Sequence, residues 1–433
     1  MLNCAILGYG TVGTGVYKLL TDKEKDIFQK SGSNIRVKWV YDRSFRRIKD
    51  YPLPSEVCTK DPDVIFNDPD VHCVIELIGG IEPARTFIFN AIRKGKHVVT
   101  ANKAVLSASG PEIWKEAESN GVLLGYEASV GGGVPVIKTV KESLVGNRIS
   151  TIVGIMNGTA NYILSRMTKE RKDYHEILKD AQRLGYAEAD PTFDVEGYDT
   201  AHKLAILSML TFGQKFTQDD IYTEGITRIA PLDIDFAKEL GYRVKLLAIG
   251  RLNDDGVMLR VHPTMIPDTH LLAQVDGAFN AFYFVGDEIG KMLLYGMGAG
   301  QGPTASAVVS DLVDIARLKG HCSMKPLQTK VLSKASLKKV PVASLNSRYY
   351  FRFSAVDRPG VLAKISGILG EYGISIQSVV QKGRKEKGAV PIVMLTHEAC
   401  EENVCQALKK IDSLDVTMEK TVLIRIEDLS ALE

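Results

Sequence analysis

Apolar positions along this chain follow two rhythms, and the switches between them outline its architecture. Leu2–Leu7 is a short continuous apolar run, as expected of a strand buried on both faces, and residues 12–20 continue at helical spacing. Strand-like runs recur at 35–41, 71–77, 96–100 and 122–127, with helical stretches at 83–94 and 111–119. Strand alternating with helix predicts a parallel sheet covered on both faces. The pattern breaks in the glycine-rich segment from Glu127 to Pro135, which marks a domain crossing. Beyond it, 149–156 alternates like a strand, 174–184 and 199–212 are helical, and 243–251 with 258–261 are rich in strand formers. A glycine-rich run, 296–303, feeds a helix at 304–318 that is expected to return to the first domain.

Residues 321–347 carry five lysines, several serines and no acid, with little periodicity, and read as a linker. After it come a strand (349–355), a helix (361–371), two strands (375–380 and 389–396), a helix (402–410) and a last strand (421–426). That βαββαβ order is the ferredoxin-like pattern.

The first strand-to-helix turn reads Gly8-Tyr9-Gly10-Thr11-Val12-Gly13. In this context the glycines divide the work of a dinucleotide site: Gly8 makes the tight turn, Gly10 lets backbone approach a pyrophosphate, and Gly13 lets helix pack on strand. The helix start offers N–H groups and partial positive charge to the phosphates. At the end of the second strand Asp42 would favour the free 2′-hydroxyl of NAD, whereas Arg43, with Arg46 and Arg47 behind it, would accept the 2′-phosphate of NADP. Both cofactors therefore stay open.

Net charge is only +2, from 54 Lys+Arg against 52 Asp+Glu, which gives no reason to expect nucleic acid or an anionic membrane surface as partner. No apolar stretch reaches the roughly 18 residues of a membrane span, and the N-terminus leads straight into the first strand, so a cytoplasmic location is expected. Six scattered cysteines (Cys4, Cys58, Cys73, Cys322, Cys400, Cys405) lack metal or disulfide spacing, and most are expected to be buried.

The richest polar cluster runs from Gly185 to Lys203 and includes Glu188, Asp190, Asp194, Glu196 and Asp199. Asp199 and Lys203 are four apart on a helix, hence on one face. An exposed ion pair is the ordinary reading of that spacing, but the helix continues as apolar Leu204–Leu207, which places the pair at a cleft. Lys103, in Thr100-Ala101-Asn102-Lys103, follows a strand at the carboxyl edge of the sheet, where such folds bind ligands. His97 and His202 are expected to be structural, and no cluster has transition-metal spacing.

Taken in order, Gly8 to Gly13, Thr100 to Lys103, Asn157-Gly158-Thr159-Ala160-Asn161-Tyr162, Glu188 with Asp190 and Pro191, Asp199 with Lys203, and Gly298 to Ser306 resemble the homoserine dehydrogenases that carry a C-terminal ACT domain. The resemblance implies an α/β protein: a Rossmann-type doubly wound sheet (1–130, completed by 304–320), an α+β catalytic and dimerisation domain (131–303), the linker (321–347) and a ferredoxin-like ACT domain (348–433). It implies reduction of aspartate 4-semialdehyde to homoserine, with Lys103 and Lys203 catalytic, Gly185, Glu188 and Asp199 at the substrate, and Gly8, Gly10, Thr11, Val12, Gly13, Arg43, Lys103 and Gly302 at NADP or NAD. It also implies a sodium ion held largely by backbone oxygens at Glu127, Val130, Gly132 and Val134. A homodimer or homotetramer is expected, along with an amino-acid effector, threonine, at Asp357, Gly360, Val361 and Leu362. A chain ending near Ala343 is then expected to keep activity and lose the response. The alternatives are another dehydrogenase of a small aldehyde or oxo acid, an amino-acid-binding regulator without turnover, and, for the C-terminal module, a purely structural pairing domain.

Overall fold

The computed structural model describes residues 1–319, 337–381 and 389–429. The chain divides into two compact units that interleave along the sequence: Met1–Ile152, Asp199–Asp220 and Phe279–Leu337 form the first, and Val153–Tyr198, Ile221–Ala278 and Lys338–Glu433 the second.

The first unit is built on a six-stranded parallel sheet of β1 (Leu2–Leu7), β2 (Ile35–Tyr41), β3 (Cys58–Thr59), β4 (Cys73–Glu76), β5 (His97–Thr100) and β6 (Leu124–Gly125), in the order β3-β2-β1-β4-β5-β6. Alternate residues of β1 serve opposite faces. Leu2, Cys4 and Ile6 share a core with Val16 and Leu20 of helix Thr11–Asp22 and with Val308, Leu312 and Ile315 of helix Gln301–Lys319. Ala5 and Leu7 face the other way, into a core with Ile88 and Ile92 of helix Ala84–Arg93 and Val105 and Ile113 of helix Lys103–Ser119. Strand order reverses between β1 and β4, so their carboxyl ends flank the crevice where such sheets take a ligand.

The run 122–127, expected as a strand, is one only at Leu124–Gly125, and a short 3-10 turn follows at Glu127–Ser129. Long-range contacts end it: the Glu127 backbone N–H donates to Asp311 Oδ2 (2.9 Å), 184 residues away. The helix expected at 111–119 begins earlier, at Lys103, and crosses Pro111 with a kink at Ser109, as a proline that cannot donate requires.

After β7 (Ile149–Ile155), the second unit takes β8 (Tyr222–Thr223), β9 (Tyr242–Asn253) and β10 (Gly256–Pro267), the last two an antiparallel pair. Strands β11 (Phe279–Gly286) and β12 (Gly290–Met297) form a hairpin in the first unit. The C-terminal module supplies β13 (Asn346–Val356), β14 (Ile376–Gln381), β15 (Ala389–Thr396), β16 (Ala399–Cys400) and β17 (Thr417–Ile426), with helices Val361–Glu371 and Glu401–Asp412. Its sheet does not stand apart. Strand β17 pairs parallel with β10 at Thr264–Arg425 and Met265–Ile426, giving a continuous order β9-β10-β17-β13-β15-β14.

Most of the expected linker, residues 320–336, lies outside the described residues, as does Cys322. Its far end is tied down: the Val257 N–H donates to Lys338 O and the Val340 N–H to Val257 O (both 2.8 Å). Gly256 makes that approach possible, since a Cβ there would stand 2.1 Å from Lys338 O. Of the described cysteines only Cys4 and Cys73 are buried, where burial pushes the Cys4 thiol up to about 12; Cys58 and Cys400 are half-buried and Cys405 exposed, a correction to the expected burial. No helix among the described residues is long and apolar enough to cross a membrane.

Candidate active site

A hydrogen-bonded ledge leads from the sheet to Lys103. The Thr100 hydroxyl at the end of β5 donates to Glu76 Oε2 (2.6 Å) at the end of β4, and accepts from the Asn102 N–H (3.0 Å). Asn102 then caps helix Lys103–Ser119, accepting from the Val105 N–H (3.2 Å), while its amide donates to Gly80 O (2.7 Å). Lys103 is thus the first residue of a capped helix at the carboxyl edge of the sheet. Glu76 is fully buried, and burial pushes its carboxyl above the usual range. The sequence pattern gives Asn102 a place in the motif 100–103 but no capping role, and gives Glu76 none; the signal for Glu76 is an acid closing an otherwise apolar strand.

Asp199 stands between two lysines. Its Oδ1 lies 2.9 Å from Lys103 Nζ and its Oδ2 2.6 Å from Lys203 Nζ. The pair at four-residue spacing is no surface bridge: Asp199 is 2% and Lys203 8% exposed, whereas the Lys103 side chain keeps 36%. Burial alone would raise the Asp199 carboxyl, but the two ammonium groups hold it well below the usual carboxylate range. The arrangement fixes two cationic N–H donors around one buried anion, one of them reaching solvent. His202, one residue before Lys203, pairs with Gln218 Oε1 (2.8 Å), and His97 Nδ1 accepts from the Leu123 N–H (3.0 Å), consistent with structural roles for both.

The glycine turn has the shape a dinucleotide needs. Gly8 has φ +104°, and a Cβ there would meet Leu77 O at 2.8 Å; a Cβ on Gly13 would lie 2.0 Å from Gly8 O. At Gly10, by contrast, a Cβ would meet nothing within 4 Å. Two glycines thus close the turn and the third opens it to a ligand. Thr11 and Val12 begin a helix with no side-chain cap, and the start of helix Gln301–Lys319 meets it, with Gln301 Nε2 donating to Thr11 O (3.0 Å). Gly302 lies exposed in that second first turn, so two helix N-termini, both favourable to phosphate, converge. Asp42 is otherwise engaged: its carboxylate accepts the N–H groups of Tyr9 (2.8 Å), Ser44 (2.8 Å) and Phe45 (2.7 Å). Arg43 beside it is exposed.

Glu127 does not point into open space either. Its carboxylate accepts the N–H groups of Ile137 (2.9 Å) and Lys138 (2.7 Å); burial and then Asp311 push its carboxyl up to about 7. Val130, Gly132 and Val134 form a tight turn in which Gly133 N–H donates to Met297 O (3.0 Å), and a Cβ on Gly132 would lie 2.5 Å from Gly298 O. Among the described residues no group of three or more His, Cys, Asp or Glu could hold a metal ion.

The remaining candidate substrate residues lie in the second unit, on the segment 185–198. Gly185, at φ +78°, turns the chain after helix Tyr174–Arg183, and Glu188 is exposed, its carbonyl accepting from Gln182 Nε2 (3.0 Å). The start of helix Gly158–Glu170 organises this segment. Asn157 caps that helix and donates to Asp194 Oδ1 (2.7 Å), and the Thr159 hydroxyl donates to Tyr186 O (2.7 Å). The sequence motif 157–162 is thereby explained as a clamp, a role that sequence reasoning had not given it.

In the C-terminal module Asp357 precedes a turn that ends at Gly360 (φ +89°), the uncapped start of helix Val361–Glu371. Val361 is buried and Leu362 is 39% exposed.

A strand order of 3-2-1-4-5-6, a glycine turn open at its middle position and a Lys–Asp–Lys cluster at the carboxyl edge define a nicotinamide-dependent oxidoreductase, here with a ferredoxin-like module appended. Residues 8–127 match the NAD-binding domain of homoserine dehydrogenase, 135–313 match its catalytic domain, and 349–416 match the ACT domain. The homoserine dehydrogenase of a Synechocystis strain is 45% identical over 429 residues, covering 97% of this chain and 98% of its own. A crystal structure of the homoserine dehydrogenase of Thiobacillus denitrificans superposes with a TM-score of 0.92 at 45% identity, covering 99% of this chain and 98% of that one. A hyperthermophilic archaeal homoserine dehydrogenase, solved in complex with NADPH, matches at 25% identity and a TM-score of 0.64, its chain covered to 98% by 73% of this one. The chain belongs to the homoserine dehydrogenases.

Proposed function

We propose that this enzyme reduces aspartate 4-semialdehyde to homoserine at the Lys103–Asp199–Lys203 cluster, with NADP(H) as the preferred cofactor. The observation that carries the reading is the single buried carboxylate bracketed by two lysines, one of them solvent-reaching. A bound reduced nicotinamide supplies the hydride that goes to the aldehyde carbon. The chain supplies the rest. The carbonyl oxygen gains negative charge as the reaction proceeds, and a lysine ammonium both stabilises that charge and delivers the proton that completes the alcohol. Asp199 aims and charges the two lysines. We therefore assign the substrate ammonium first to Glu188, next to Gly185 on the segment 185–198, and keep Asp199 as a second substrate-binding residue. Gly8, Gly10, Thr11, Val12, Gly13 and Gly302 would hold the pyrophosphate and nicotinamide ends, and Arg43 the 2′-phosphate. The commitment of Asp42 to backbone N–H groups favours NADP over NAD. The NADPH complex of the archaeal relative agrees.

The turn at Glu127, Val130, Gly132 and Val134 would hold a sodium ion through backbone oxygens, bracing the loop. Threonine is the effector we assign to Asp357, Gly360, Val361 and Leu362, its carboxylate on the first turn of helix Val361–Glu371. A homodimer or homotetramer, and a cytoplasmic location, complete the reading. NADPH absorbance followed with aspartate 4-semialdehyde and with other small aldehydes and oxo acids tests it. Consumption specific to the semialdehyde supports the assignment, and faster turnover of another carbonyl compound replaces it.

A further inference from the structure

We propose that Arg425, on β17 of the C-terminal module, is a positioning residue for the substrate segment 185–198, acting through Tyr222 and Glu224. The inference rests on reading that segment as substrate-binding.

Arg425 is 2% exposed and is already matched inside its own module, where its guanidinium forms a two-point pair with Glu401, one bond of it Nε to Oε2 at 3.0 Å. It also reaches out of the module. Nη1 donates to Glu224 Oε2 (2.9 Å), Nη2 donates to the Tyr222 hydroxyl (3.0 Å), and the guanidinium lies 4.8 Å from the centre of the Tyr222 ring. The Tyr222 hydroxyl in turn donates to the same Glu224 oxygen (3.1 Å). Charge-assisted bonds of this kind are short and directional, so Arg425 fixes where Glu224 stands.

Glu224 immediately precedes a contact with no slack. A Cβ on Gly225 would lie 2.5 Å from Val195 O and 2.6 Å from Glu196 Cα, and one on Gly197 would lie 3.2 Å from Thr223 Cγ2. The Ile226 N–H donates to Val195 O (2.8 Å) and the Thr227 hydroxyl to Glu196 Oε1 (3.0 Å). Close-packed backbones transmit a displacement because they have no void to absorb it. A shift of Arg425 therefore moves Glu224, then 225–227, then 195–197, a few residues from Glu188. Cohesion between module and catalytic sheet is supplied elsewhere, by the buried pairing of Asp233 with Arg352 and Tyr350 and by the bond from Arg260 to Glu427. That leaves the outward reach of Arg425 to be explained by position.

Removing Arg425 itself would strand Glu401 in the interior, so the test uses milder changes in the full chain. The Glu224 side chain is 30% exposed, which lets Glu224→Gln fold; Tyr222→Phe removes one hydroxyl. Tyr349→Phe is the control, since its hydroxyl donates to Glu401 (2.9 Å), the partner of Arg425 inside the module, and takes no part in the bonds to Tyr222 and Glu224. In homoserine oxidation, Glu224→Gln and Tyr222→Phe should raise the homoserine KM about fivefold or more, the lower range of ordinary couplings, with kcat and the cofactor KM held within about twofold. Tyr349→Phe should leave all three in place. An unchanged homoserine KM in Glu224→Gln, or an equal rise in Tyr349→Phe, overturns the link. Glu188→Gln measured alongside separates the two readings. A rise in Glu224→Gln with none in Glu188→Gln keeps the link and removes Glu188 as ammonium partner; a rise in Glu188→Gln alone keeps the substrate segment and removes the link.

Discussion

Asp199 is the residue on which the site turns, because one carboxylate fixes the direction of two ammonium groups. Its replacement by Asn keeps the volume and takes from buried Lys203 the carboxylate that stands 2.6 Å from its Nζ. Stripping a buried pair of one partner costs about 3–5 kcal/mol. The partly exposed Lys103 loses less, so a loss of roughly 3 kcal/mol is expected in denaturant unfolding at neutral pH. The pH dependence has a definite sign. The folded pKa of Asp199 lies below the unfolded one, so its contribution is fully present above about pH 4 and is lost as the pH falls below that ordinary carboxylate value. As the pH falls below about 4 the parent should therefore lose stability more steeply than Asp199→Asn. Parallel profiles would mean that the carboxylate carries no such charge coupling. Glu188 differs in kind. It is exposed and lies on a segment held from behind by Asn157 and Thr159, so Glu188→Gln should raise the homoserine KM with little change in the cofactor KM. An unmoved KM would take the ammonium from Glu188.

At the scale of elements, the turn joining β1 to its helix and the end of β2 carry the proposed basis of cofactor choice. Asp42 spends its carboxylate on the Tyr9, Ser44 and Phe45 N–H groups and so shapes the turn, while Arg43 stands exposed beside it. Arg43→Ala should weaken NADP more than NAD, measured as the ratio of the two KM values. Equal weakening would leave the arginine an organiser of the loop. These elements were also the most legible in sequence. Apolar runs mark β1, β2, β4 and β5, and the βαββαβ order of the C-terminal module is legible because each of its main elements carries its own period; the two-residue β16 is too short to carry one. Less legible were features with distant causes. The strand expected at 122–127 stops early because Glu127 answers to Asp311, Ile137 and Lys138. The ledge from Glu76 through Thr100 and Asn102 to Lys103 joins ends of neighbouring strands that lie more than twenty residues apart in sequence. Spacing foresaw the pair of Asp199 with Lys203; the third member, Lys103, lies almost a hundred residues away, and its pairing is tertiary.

At the scale of the whole molecule, the C-terminal module shares a sheet with the catalytic strands β9 and β10 and buries charged partners against them. Ending the chain near Ala343 would remove Glu427 from fully buried Arg260, and Arg352 with Tyr350 from fully buried Asp233. Lost activity in such a truncation would reflect those stranded charges as much as lost sensing. The effector reading is therefore better tested in the full chain. Threonine should inhibit it, and Asp357→Ala should abolish the inhibition, read as the ratio of turnover with and without threonine. Full turnover of the parent at saturating threonine, with no heat of binding, would leave the module a structural partner of the sheet.

The proposed action of Lys103 and Lys203 on the reacting oxygen, under the direction of Asp199, is measured by the turnover of Lys203→Ala and Lys103→Ala in homoserine oxidation, with NADPH binding followed on the same preparations. Each substitution should lower kcat about a hundredfold or more, as for loss of a positioned acid or base, with cofactor affinity kept for Lys203→Ala. Near-parental kcat in Lys203→Ala would contradict that action.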